Sequence, residues 1–233
     1  MTSARIPSSR SQACSLVRAT LALSLWLSAP LAAAQSQLWI RQLGTGFDDA
    51  AFAAAPDASG GVYVGGWTAG NLGGPNAGSW KSTDAWLARY DFAGNRLWLR
   101  QFGTDNYDNV NAAAPDASGG VYATGFTIGS LGGPKAGYVD AWLARYDGTG
   151  NQLWVRQLGT SAWDAAIASA PDASGGVYLS GGTGGSLGGS NAGDADAWLA
   201  RYDSAGNQLW IRQLGTNRED IAWAAAPDAS GGV

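Results

Sequence analysis

Three observations predict an all-β fold for this sequence, a β-propeller built from four-stranded antiparallel blades and forming an incomplete ring. A unit of roughly 56 residues recurs three times in full and once in part. Each unit divides into four short strand-like runs separated by turns rich in Gly and Asp. The composition agrees: 35 Gly and 12 Trp in 233 residues, a Gly share about twice the usual one, suit many short strands joined by tight turns.

Residues 1–34 are set apart first, because they read as a secretion signal. Arg5, Arg10 and Arg18 precede an apolar run from Ala19 to Leu31, and Ala32-Ala33-Ala34 supplies a small-residue cleavage site. The run falls short of the about 20 residues a membrane span needs, so no span is expected once the signal is removed. Cleavage would also remove Cys14, the one cysteine, and with it any disulfide or thiol chemistry. The mature chain, 35–233, would carry 11 basic against 18 acidic residues, a net charge of −7, which disfavours nucleic acid and anionic lipid as partners.

The repeats start near residues 38, 97, 153 and 209, each with Leu-Trp-x-Arg-Gln-x-Gly-Thr. Ala-Pro-Asp-Ala-Ser-Gly-Gly-Val recurs unchanged from Ala55, Ala114, Ala170 and Ala226, and Asp-Ala-Trp-Leu-Ala-Arg-Tyr-Asp from Asp84, Asp140 and Asp196. In the first unit, strand a is expected over Ala51–Pro56, b over Val62–Trp67, c over Ala85–Tyr90 and d over Arg96–Phe102. Asp57-Ala58-Ser59-Gly60-Gly61 and Asp91-Phe92-Ala93-Gly94-Asn95 read as hairpin turns, since Asp bonds its own backbone and Gly accepts positive φ. The strands do not alternate cleanly, which suits sheets covered on both faces. Strand a is almost all Ala, as expected where blades converge and side chains must shrink. Solenoids of short coils need shorter periods, and helical repeats need helix formers that this chain lacks.

Those motifs, with the Gly-x-Leu-Gly-Gly loop, in this order and spacing resemble the SBBP, or β-propeller repeat, proteins of bacteria over essentially the whole mature chain. The resemblance implies a propeller, commonly seven-bladed, on exported or surface-associated proteins. It brings no established activity and no catalytic residues. Here the chain opens on a lone strand d, Leu38 to Leu43, and closes on a lone strand a, so that it reads as truncated at the C-terminus, with open blade faces suited to self-association.

The inventory is poor for catalysis: no His, no Cys in the mature chain, and Glu219 as the single Glu. No enzyme activity and no cofactor are expected. Asp194 and Asp196 are a weak calcium candidate, because two carboxylates lie near each other in sequence without the Asp-x-Asp-x-Asp-Gly pattern; the alternative is that Asp84, Asp140 and Asp196 accept hydrogen bonds at the start of strand c. Arg89, Arg145 and Arg201, with Asp57, Asp116 and Asp172, are expected to form ion pairs between blades, the alternative being a ring of arginines around an anion. An up-and-down blade puts the near-identical a–b and c–d hairpins at one end and the divergent b–c and d–a loops at the other. There Phe47, Trp80, Tyr107, Tyr138 and Trp163 are the candidate ligand-binding residues, aromatics on loops carried by a rigid scaffold. The expected function is a secreted or cell-surface scaffold, with the periplasm as a further location, that binds a protein or glycan through these loops. The alternatives are a structural surface or matrix component without a discrete ligand, and a lectin-like carbohydrate binder, which would repeat one site in every blade.

Overall fold

The computed structural model describes residues 37–79, 81–228 and 230–233. The expected secretion signal and Trp80 lie outside the described residues. Twelve strands form three four-stranded antiparallel sheets, and no helix occurs among the described residues. The first sheet holds β1 (Asp49–Pro56), β2 (Val62–Thr68), β3 (Asp84–Tyr90) and β4 (Arg96–Phe102) in sequence order. The second repeats this with β5 (Asp108–Pro115), β6 (Val121–Thr127), β7 (Asp140–Tyr146) and β8 (Gln152–Leu158). The third holds β9 (Asp164–Pro171), β10 (Val177–Thr183), β11 (Asp196–Tyr202) and β12 (Gln208–Leu214). The chain is thus a repeat protein of four-stranded β units.

The four runs anticipated from the turn chemistry are the four strands of each sheet, extended at the loop end. β1 starts two residues earlier than expected, at Asp49, which pairs with Thr68, and the Asp49 carboxylate holds the Thr68 hydroxyl at 2.5 Å. A side-chain bond across the last rung keeps that rung closed. At the opposite end, Gly60, Gly119 and Gly175 adopt φ near +85° in the β1–β2, β5–β6 and β9–β10 turns, a conformation in which Gly carries no Cβ penalty.

Successive sheets pack face to face, with the first strands β1, β5 and β9 adjoining one another. One core joins Tyr63, Leu87 and Trp98 of the first sheet to Val110, Val121 and Trp142 of the second. Another joins Tyr122 and Leu143 of the second to Val177, Leu179 and Trp198 of the third. The middle sheet is therefore covered on both faces, as the unbroken apolar strands implied, whereas β1 lies largely uncovered.

Each first strand carries a bulge. The β1–β2 register slips between Ala51 and Ala53, β5–β6 between Val110 and Ala112, and β9–β10 between Ala166 and Ala168, leaving Phe52, Asn111 and Ile167 unpaired. The residue opposite the slip is Gly66, Gly125 or Gly181, where an added Cβ would overlap the carbonyl oxygen of Ala50, Asn109 or Ala165. Trp86 Nε1 donates to Ala50 O and Trp142 Nε1 to Asn109 O, both at 3.1 Å. The bulge is thus written into glycines of strand b and, in the first two sheets, into the tryptophan of strand c; in the third, Trp198 Nε1 donates to Gly182 O instead. It also corrects the expected taper: strand a is not uniformly small where the sheets converge, because its bulge residue is large and partly exposed in two of the three strands.

The lone strands expected at the termini do not form. Residues 38–43 and 220–227 run outside any sheet among the described residues, because neither has a neighbouring strand to complete a ladder. Both nevertheless take up the bonds their counterparts make. Trp39 Nε1 donates to Phe92 O and Arg41 Nε to Gly94 O, as Trp98 does to Gly148 O and Arg100 to Gly150 O. Tyr178 Oη donates to Gly231 O, as Tyr63 does to Gly119 O.

Candidate functional site

The two ends of the sheets are built differently. At the hairpin end, Asp57 Oδ1 accepts from Ser59 N, Ser59 Oγ and Gly61 N, and Oδ2 accepts from Arg89 Nε at 2.8 Å. Arg89 Nη1 continues to Gly148 O of the next unit, and its guanidinium stands 5.5 Å from the Tyr63 ring centre. Asp116 with Arg145, and Asp172 with Arg201, repeat the pair at 2.8 and 2.9 Å. Burial works against ionisation of Asp57, but the Ser59 hydroxyl, the Arg89 guanidinium and the Gly61 and Ser59 amides outweigh it and hold the carboxyl well below the usual range. Asp116 and Asp172 are lowered by the same balance. The expectation that these pairs bridge blades is corrected. Each closes within one sheet, because the β1–β2 turn folds beside β3, and in the first two sheets Nη1 of Arg89 and Arg145 reaches across to Gly148 O and Ser204 O.

At the loop end Asp84, Asp108, Asp140 and Asp196 are buried and held by neutral donors. Asp84, Asp140 and Asp196 each accept on Oδ2 a backbone N–H of their own b–c loop and the side-chain amide of Gln101, Gln157 or Gln213. Gln101 Oε1 in turn accepts Leu72 N and Gly73 N, so one Asp and one Gln fix both limbs of each loop. Asp108 accepts Thr104 N and Oγ1 on one oxygen and the Thr127 hydroxyl on the other. Burial, helped by the nearby Asp84 charge, pushes the Asp108 carboxyl up despite these bonds. Asp84 Oδ1 and Asp196 Oδ1 are buried with no hydrogen-bond partner.

On this frame the candidate residues separate. Phe47 and Tyr138 are exposed, 63% and 69%, and Tyr107 is 48% exposed. Trp163 is half-buried, with its ring filling the space beside Gly182, where a Cβ would lie 2.8 Å from Cζ3; it is packed rather than projecting. Tyr138 N donates to Ala162 O, which sets Tyr138 near Trp163, but Phe47 lines a different groove. That groove, about 470 Å³, is walled by Thr45, Phe47, Asn71, Pro75, Asn76 and Ser79. It is neutral and mixes aromatic, amide and hydroxyl groups, and Asn76 Nδ2 is buried with no hydrogen-bond partner. Asp196 is buried and Asp194 exposed, and no group of three metal-ligating side chains occurs among the described residues. No helix among them is long and apolar enough to cross a membrane.

Sequence reasoning missed the Thr and Gln residues that position the loops and the bulge residues Phe52, Asn111 and Ile167. The available signals were Gly-Thr followed four residues later by Asp in every unit, and the Gly recurring at 66, 125 and 181. No family model matches the chain. It is 30% identical over 157 residues to the regulatory protein FlaEY of Caulobacter vibrioides, a match covering 59% of this chain but only 16% of that protein's length.

Proposed function

We propose that the chain is a non-enzymatic, exported scaffold of β-propeller type, similar to the SBBP repeat proteins, whose loop end binds a neutral glycan or protein at the cell surface or outside the cell. The observation that carries this reading is the contrast between the ends: one set of bonds repeated at the hairpins, and at the loops a rigid frame holding side chains that differ in every unit. The face-to-face packing of successive meanders through their first strands supports a propeller. A groove offering Phe47 for stacking and asparagine amides for hydrogen bonding suits a neutral polyhydroxyl ligand. Its aromatic wall is not repeated, since Asn106, Ala162 and Arg218 stand where Phe47 does in the other units, which favours an interaction scaffold over a lectin with one site per blade. The FlaEY match supports no particular activity, since regulation is named for a far longer protein.

A structural role through self-association is favoured by one observation, a cavity of about 330 Å³ on the open face of the first sheet between Trp39, Leu43, Val64 and Trp86. The discriminating experiment is capture of purified surface glycans and surface proteins by the full chain and by a Phe47→Ala/Tyr138→Ala variant, with light scattering on both. Capture lost without any change in melting or oligomeric state supports the scaffold. Equal capture by both proteins, together with concentration-dependent assembly, supports the structural role instead.

A further inference from the structure

Two clefts occupy corresponding places in the repeat, each between a strand-d sequence and the c–d turn of the unit that follows. The first, of about 370 Å³, is lined by Arg41, Leu43, Tyr90, Asn95 and Arg96. The second, of about 430 Å³, is lined by their counterparts Arg100, Phe102, Tyr146, Asn151 and Gln152. The c–d turns and the strand starts after them read DFAGNRLW, DGTGNQLW and DSAGNQLW. The residue after Asn is therefore Arg96 in the first unit, and Gln152 and Gln208 in the others.

That exchange reverses the hydrogen-bonding character of the first cleft. Gln152 Oε1 accepts the Tyr146 hydroxyl at 3.0 Å, and Gln208 Oε1 accepts that of Tyr202 at 2.8 Å. A guanidinium accepts nothing, so Arg96 leaves the Tyr90 hydroxyl without that acceptor. Arg41 is fixed by Nε on Gly94 O and Nη1 on Ile40 O, both at 2.9 Å, while its Nη2 makes no hydrogen bond among the described residues. Arg96 has neither a hydrogen bond nor an ion pair among them. Asp91 is committed to its own turn, accepting Ala93 N and Asn95 N on Oδ1 and Asn95 Nδ2 on Oδ2. No carboxylate lines the cleft, so two guanidiniums and a hydroxyl proton border it with no side-chain anion to meet them.

We propose that the first cleft binds the oxyanion of a small ligand, a carboxylate or phosphate group, between Arg41 and Arg96 with the Tyr90 hydroxyl as a third donor. Arginine forks match both groups, and the volume falls in the range of small-molecule sites. The net charge of −7 over residues 35–233 opposes a large polyanion. The site lies at the c–d turn, so it goes beyond the neutral ligand read at the loop end and stands or falls independently of it.

The test is calorimetric titration of the full chain, at low ionic strength, with sodium phosphate, sodium acetate and sodium chloride. Saturable binding of phosphate or acetate at a single site is expected, with chloride much weaker because it cannot span a guanidinium fork; the tighter oxyanion names the group. Arg96→Gln, which installs the residue of the other two units, should weaken binding about tenfold with unchanged melting. Tyr90→Phe keeps the ring stacked on Trp39 and should weaken it about threefold. Gln152→Arg sets the same donors beside Arg100 and should open an equivalent second site, doubling the stoichiometry. Absence of saturable binding, chloride as tight as either oxyanion, wild-type affinity in Arg96→Gln, or unchanged stoichiometry in Gln152→Arg overturns the proposal.

Discussion

The hairpin end and the loop end of the same sheets solve the burial of carboxylates in opposite ways. Asp57, Asp116 and Asp172 are each buried against a guanidinium. Asp108 is equally buried but meets only hydroxyls, an amide and a second acid. The first arrangement stabilises a charged carboxylate and is repeated without change. The second leaves the charge expensive, and it lies beside the loops that differ. The comparison teaches that this repeat separates the bonds that hold it together from the surface that varies.

The largest expected effect is in neither end but in the core between them. Trp142 is fully buried, and its indole holds the Asn109 carbonyl beside the bulge. Trp142→Ala should destabilise by about 3–5 kcal/mol, measured by denaturant unfolding, and more than a change at either end. An effect below about 1 kcal/mol would show that the middle sheet is not the centre of the fold.

Next is the hairpin end. Arg145→Ala leaves Asp116 without its cation and should cost about 2–3 kcal/mol, at the low end for a buried pair because the guanidinium is partly exposed. The folded pKa of Asp116 is depressed, so its contribution is present above the unfolded value near 4 and is lost as pH falls through the lower folded value. In stability measured from pH 7 downward, the variant should therefore show a shallower acid loss than the wild type; an unchanged slope would remove the pair from the account.

At Asp108 the sign reverses. The folded pKa of Asp108 is raised, so stability that is present below pH about 4 is lost as pH rises through the folded value. Asp108→Asn should flatten that limb between about pH 4 and 7, read by denaturant unfolding across that range. Asp116 and Asp108 thus contribute pH dependences of opposite slope in one protein, and a shared slope would break the comparison.

Most of the strand boundaries were legible in the sequence because Asp-x-x-Gly turns dictate where a strand must end. What was not legible depended on geometry between runs. Nothing in Ala-Phe-Ala-Ala announces a register slip; only the recurrent Gly66, Gly125 and Gly181 across the rung do, and a Gly inside a strand has several meanings. A residue pair that recurs once per unit says nothing of whether it closes within a unit or between two, so only the structure shows that Arg89 and Asp57 pair within one sheet. The lone terminal strands failed for a related reason: Leu38–Leu43 has the sequence of a strand but no partner. Of the loop aromatics, Phe47, Tyr107 and Tyr138 are exposed, whereas Trp163 is packed because Gly182, on another strand, leaves it the space.

The separation of roles is tested most directly by measuring two properties on two variants of the full chain: Arg89→Ala/Arg145→Ala/Arg201→Ala at the hairpin end and Phe47→Ala/Tyr138→Ala at the loop end. Melting temperature and capture of surface glycans or proteins are recorded for each, capture at a temperature where both remain folded. The account predicts that the arginine variant melts much earlier yet captures as the wild type does, and that the aromatic variant melts as the wild type does yet captures nothing. The reverse pattern, or loss of both properties together in either variant, would contradict it.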